Sequence, residues 1–167
     1  TSCAGGLRTD CHLPVNVENR PSDMVCFDVR VEGLMGGHSG TEINKERGNA
    51  IKILGITLQQ LLTKFPFHVI DIDGGEKDNA IAIAAHAVVC VAKDKKNAFE
   101  QEIERIAEEA KNEYQSKEKN LCIHAVSIKI EKEYMFDNKS TANVAAFLTT
   151  MPNGVLAMSA DIEGLVE

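Results

Sequence analysis

No apolar run in this chain approaches the ~20 residues that a membrane span needs, so a soluble protein is expected. There is no basic excess either: 18 Lys and Arg stand against 25 Asp and Glu, a net charge of −7. Without a Lys/Arg stripe the chain lacks the concentrated basic footprint that nucleic acid requires. No CxxC pair occurs among Cys3, Cys11, Cys26, Cys90 and Cys122. An odd, scattered set of thiols fits small buried side chains in a reducing compartment better than a disulfide framework. With no visible signal peptide, the expected location is cytoplasmic. Internal repeats and low-complexity tracts are also lacking.

What is present is enough for a real core. At 167 residues and 44% hydrophobic, the chain is one compact domain or slightly more, and disorder is excluded. Thr1 is not an initiator methionine, and Glu167 closes an apolar-turning stretch without a terminating tail. The two ends together lead to the expectation of a piece cut from a longer protein.

Period-two alternation from Met24 to Leu34 sets Phe27, Val29 and Val31 against Asp28, Arg30 and Glu32, the pattern of a half-buried strand. The glycine-rich stretch Gly36-Gly37-His38-Ser39-Gly40 follows as a loop. Apolar residues then recur every three or four from about Asn44 to Lys64, predicting a long amphipathic helix that Pro66 stops. Strands are expected over Phe67–Asp73 and Ile81–Lys93. A second helix, capped by Asn97 with Glu100 three residues on, should run to about Ser116. A fourth strand is expected over Leu121–Lys132. Strand, helix, strand, strand, helix, strand is the ferredoxin-like βαββαβ order of an α+β fold: an antiparallel four-stranded sheet with two helices on one face. A further helix, capped by Ser140, should reach Met151 before Pro152-Asn153-Gly154. The chain thus divides into a loop-like lead-in (1–23), the ferredoxin-like unit (24–132) and the start of an incomplete section (133–167).

Chemistry-bearing motifs are scarce. The five histidines (His12, His38, His68, His86, His124) form neither HxH nor HExxH, and no metal site is legible. A GxSxG elbow, a phosphate-binding GK[ST] and a GxGxxG spacing are all missing, so no complete catalytic centre is expected. Two leads remain. Gly36–Gly40 can be a plain strand-to-helix turn whose glycines supply positive φ, or it can present His38 to a ligand. Gly74-Gly75 followed by Asp78-Asn79-Ala80 can be an ordinary hairpin connection, or it can offer the Asn79 carboxamide to a peptide-like ligand.

Several segments, in order, resemble one family. Cys3-Ala4-Gly5-Gly6, the run from Glu32 through Gly36-Gly37-His38-Ser39-Gly40 to Ile43, Gly48-Asn49-Ala50, Asp78-Asn79-Ala80-Ile81, Glu118-Lys119-Asn120-Leu121 and Thr150-Met151-Pro152-Asn153-Gly154-Val155 are similar to the aminoacyl-histidine dipeptidases (Xaa-His dipeptidase, peptidase D). These belong to the two-zinc aminoacylase and carboxypeptidase superfamily. The resemblance implies that the chain is part of a lid and dimerisation domain inserted into a zinc-binding catalytic domain. It implies a parent enzyme that holds two zinc ions outside this chain, hydrolyses Xaa-His dipeptides and forms a homodimer through the lid. On the same ground His38 is the oxyanion-stabilising residue, Asn79 contacts substrate, and Gly37, Ser39 and Gly40 support the loop. The chain departs from the family where Ala82-Ile83 replaces Pro-Arg, which leaves that loop less rigid. The alternative reading is a free-standing ferredoxin-like module that binds a small molecule or dimerises without catalysis.

Overall fold

The computed structural model describes residues 8–163, so the expected Cys3–Gly6 segment lies outside the described residues. Four strands build the main sheet: β2 (Met24–Glu32), β4 (His68–Gly74), β6 (Ala85–Ala92) and β7 (Cys122–Ile128). The sheet order is β4-β6-β2-β7 and every neighbouring pair is antiparallel. Helices α1 (Ala50–Leu62) and α2 (Lys96–Tyr114) pack on one face. This is the ferredoxin-like α+β arrangement that the periodicity predicts.

The alternation of β2 decides which face is dry. Phe27, Val29 and Val31 are fully buried against the helices, joined by Val69 of β4 and by Ala87, Val89 and Val91 of β6. Leu54, Leu58 and Leu61 of α1 and Phe99, Ile103 and Ile106 of α2 close this core. Phe27 and Phe99 stack with ring centroids 5.0 Å apart, and Phe67 meets Phe99 edge-on at 6.4 Å. Such pairs add about 1 kcal/mol to plain area burial. Among the described residues no helix is long and apolar enough to cross a membrane.

Some boundaries differ from those expected. The helix expected from Asn44 begins at Ala50 instead. A 3-10 turn over Ile43–Lys45 ends at Glu46 in the left-handed region (φ 49°), and Asn49 then caps the helix by accepting from the N–H groups of Ile51 and Lys52. The strand expected from Ile81 splits. Ala80–Ile81 forms β5, which pairs with β3 (Gly37–His38), and β6 starts only at Ala85. Asn97 does not cap α2: the chain winds from a 3-10 turn over Lys93–Lys95 straight into the helix.

The last helix, α3 (Asn138–Thr150), is capped by Asp137 rather than Ser140. The Asp137 carboxylate accepts from the Ser140 N–H at 2.7 Å, while the buried Ser140 hydroxyl accepts from the Asn16 N–H at 2.8 Å. α3 lies against α1 at Gly55, where an added Cβ would sit 2.6 Å from Leu148 Cβ. Only a glycine allows the two helices so close. A strand also forms within the expected loop-like lead-in: β1 (Val17–Asn19) pairs with β8 (Tyr134–Phe136). Met135 of β8 covers Cys26, Ile70 and Cys90 on the sheet face opposite the helices.

Candidate functional site

The loop between β2 and α1 leaves the sheet through Gly33 and the buried Leu34. Gly37 has φ 150°, a backbone conformation that residues with a side chain rarely adopt, and an added Cβ would also displace the ends of the Arg47 and Glu42 side chains. The short β3–β5 ladder then fixes His38 opposite Ala80. The Ser39 N–H donates to the Asn79 carbonyl at 3.0 Å. The two sequence leads therefore meet in space.

His38 does not stand free, as a bare glycine loop would suggest. Its exposed ring folds back so that Nδ1 accepts from the N–H groups of Gly40 at 3.0 Å and Thr41 at 3.2 Å. Gly40 permits this, because a Cβ there would press on His38 Cε1 at 3.3 Å. A ring nitrogen that accepts two N–H groups carries no proton, so the neutral imidazole is protonated on Nε2. The loop thereby selects one tautomer, with Nε2–H as the ring's remaining donor.

A carboxylate braces the same turn. Glu42 Oε2 accepts from the His38 N–H at 3.0 Å, and the Glu42 N–H donates to the His38 carbonyl at 3.0 Å. Glu42 Oε1 meets Lys45 Nζ at 2.7 Å and Arg47 Nη2 at 3.1 Å. The hydrogen bond from Lys45, helped by the His38 N–H, pulls the Glu42 carboxyl down to about 2. Arg47 also donates to the Gly36 carbonyl. Periodicity passes over Glu42 and Arg47 because neither lies on an apolar face. The one available signal is the density of charge beside a glycine-rich turn.

His38 and Asn79 line one groove of about 390 Å³, together with Gly37, Gly75, the charged Glu76 and Lys77, and residues 80–84. Asn79 is exposed, and its backbone carbonyl accepts from the Ser39 N–H. Chemically the groove sets an imidazole and a carboxamide beside a carboxylate and an ammonium, along the apolar run from Ala80 to Ala84. It suits a polar carbonyl-bearing ligand.

The remaining histidines serve elsewhere. His68 Nδ1 is 2.8 Å from the Phe136 carbonyl, and His86 Nδ1 is 2.9 Å from the Asp28 carboxylate. Burial would raise the Asp28 pKa, but hydrogen bonds from His86 and Arg30 outweigh it and hold the carboxyl below its usual range. Among the described residues, no three His, Cys, Asp or Glu side chains come together as metal ligands would.

Residues 29–118 match the family model described as the peptidase dimerisation domain. Over 165 residues the chain is 35% identical to the cytosol non-specific dipeptidase of Escherichia coli (strain K12), covering 99% of this chain and 34% of that protein. The crystal structure of aminoacylhistidine dipeptidase from Vibrio alginolyticus superposes with a TM-score of 0.87 at 26% identity, over 93% of this chain and 31% of that one. The chain spans about a third of the length of the relatives it matches.

Proposed function

The chain belongs to the peptidase dimerisation domain family, and on that premise we propose that it is the lid of a two-zinc dipeptidase acting on Xaa-His dipeptides. The metal ligands and the water-activating machinery lie in a catalytic domain outside this sequence. The lid's own contribution is His38. As water adds to the scissile carbonyl, negative charge grows on its oxygen, and the Nε2–H donor stabilises that charge. The observation that carries this reading is the pair of backbone N–H groups on Nδ1. They orient the ring and leave Nε2–H as its donor, so no reorientation is needed as charge develops. Asn79, on the same groove, is assigned the polar end of the substrate.

The homodimer is assigned to the outer edge of β7. At the other end of the sheet β4 lies beside β8, where His68 meets the Phe136 carbonyl, whereas β7 ends the strand order and, among the described residues, no strand pairs with its outer side. An open edge of this kind accepts another strand.

The test is His38→Ala in the full-length, zinc-loaded protein, with alanyl-histidine as substrate. Loss of one such donor costs roughly 10²–10³ in kcat. KM should stay within about threefold, because the interaction is made in the transition state and not in the ground state. A variant with wild-type kcat, or one that loses only KM, would overturn the role given to His38.

A further inference from the structure

The loop carrying His38 is gripped at both ends by one buried side chain. Glu118 is 2% exposed. Its Oε2 accepts from the Met35 N–H at 2.7 Å, where the loop begins, and its Oε1 accepts from the Gly48 N–H at 2.8 Å, where the loop ends. Glu118 itself sits on a tight connection between α2 and β7. Its own N–H donates to the Tyr114 carbonyl at 2.8 Å, and its carbonyl accepts from the Leu121 N–H at 3.1 Å. Two residues on, the Asn120 carbonyl packs so closely on Gly33 that an added Cβ would lie 2.0 Å away. The loop is thus mounted on the α2–β7 connection.

A buried carboxylate is a costly choice for mere packing, since its charge must be taken out of water. What it alone offers is two acceptor oxygens and no donor, so it can hold two N–H groups at once. The corresponding amide cannot, because its NH₂ end would face one of them. The other attachments of the loop have a different reach. Glu42, Lys45 and Arg47 set its shape from within. The β3–β5 ladder and the Ser39–Asn79 bond join it to a second loop, and one exposed ion pair, Lys117 with Glu46, is the further side-chain tie to the α2–β7 connection among the described residues, made in water where it adds little.

We propose that Glu118 is a positioning residue: by clamping Met35 and Gly48 to the α2–β7 connection, it sets where the His38 imidazole stands. The proposal rests on His38 being the donor described above. It matters because a displacement near 1 Å at a reacting centre costs on the order of 10²-fold in rate.

The experiment compares Glu118→Gln, His38→Ala and the double variant in the full-length, zinc-loaded protein, using alanyl-histidine kinetics and amide hydrogen exchange. Glu118→Gln should lower kcat about tenfold with KM nearly unchanged, and adding it to His38→Ala should cost nothing further. Exchange at Gly37, Gly40 and Thr41 should quicken about tenfold while β2 and α1 stay protected. If Glu118→Gln does not fold, Glu118→Asp keeps the charge but shortens the reach, and should give a smaller effect of the same kind. Wild-type kcat with unchanged exchange would overturn the proposal. So would multiplicative losses in the double variant, or faster exchange spread through β2 and α1, since either marks a general structural role. If His38→Ala alone keeps wild-type kcat, the donor role falls on its own, and the exchange pattern still decides whether Glu118 sets the loop.

Discussion

The frame of sheet and helices and the loop from Met35 to Gly48 are held by different forces. In the frame, Phe27, Phe67, Phe99, Leu54, Leu58 and Leu61 are fully buried. Each such side chain contributes roughly 1.5–3 kcal/mol through area removed from water, a term that adds up but has little direction. Between Met35 and Arg47 of the loop, the one buried residue is Gly36. There the work falls to directed contacts: Glu42 on His38 N–H, two N–H groups on Nδ1, and Glu118 across the ends. Such contacts add little net stability but fix angles and distances. Stability therefore sits in one region and geometry in the other, and the two can be perturbed separately.

The sharpest way to test that separation is to damage the frame. Phe27→Ala empties a stacked position at the centre of the sheet and should cost about 3–5 kcal/mol in urea unfolding. The folded fraction should nevertheless keep its kcat, and a loss of kcat in fully folded protein would break the comparison. A smaller effect is expected at the α1–α3 contact. Gly55→Ala gains some helix propensity but drives its methyl into Leu148, including the Leu148 backbone carbon at 2.9 Å. Overpacking of this kind costs roughly 1–3 kcal/mol, so the net change should be destabilising. A more stable Gly55→Ala protein would mean that α3 is free to shift.

The smallest expected effect belongs to the loop. Glu42 has a folded pKa depressed from 4.5 to about 2, so its stabilisation is fully present above the ordinary carboxylate value and is lost as pH falls through the depressed one. Glu42→Gln lacks that term at every pH. The gap in urea midpoint between the two proteins should therefore be present at neutral pH and close as pH falls from 4.5 to about 2. A gap that stays constant over this window would show that the brace is not electrostatic.

The frame was largely legible because its signal is local and repeated. Strict alternation in β2 and the three-to-four spacing of Ala50, Leu54, Leu58 and Leu61 in α1 follow directly from backbone periods. The α1–α3 contact was not legible. A lone Gly55 inside a helix pattern carries no sign of the partner that fills its groove. The β1–β8 pair escaped for another reason: three-residue strands are too short for a period to show. At the site, the glycine-rich turn singled out His38 and the turn after Gly74-Gly75 singled out Asn79, while the family resemblance supplied the roles expected of both. Their shared groove depends on the pairing of β3 with β5, which brings together segments far apart in the chain.

By itself the sequence determined the α+β class, the dry face of the sheet and the imidazole in a bare turn, because all three follow from side-chain order along a few residues. Only the tertiary structure decided which ring nitrogen carries the proton, what braces the turn and what holds its two ends. Those depend on contacts such as Glu118 with Met35 and Gly48, whose spacing along the chain no local pattern encodes. Hydrogen bonds have direction as well as range, so their partners are chosen only once the fold has brought the groups face to face.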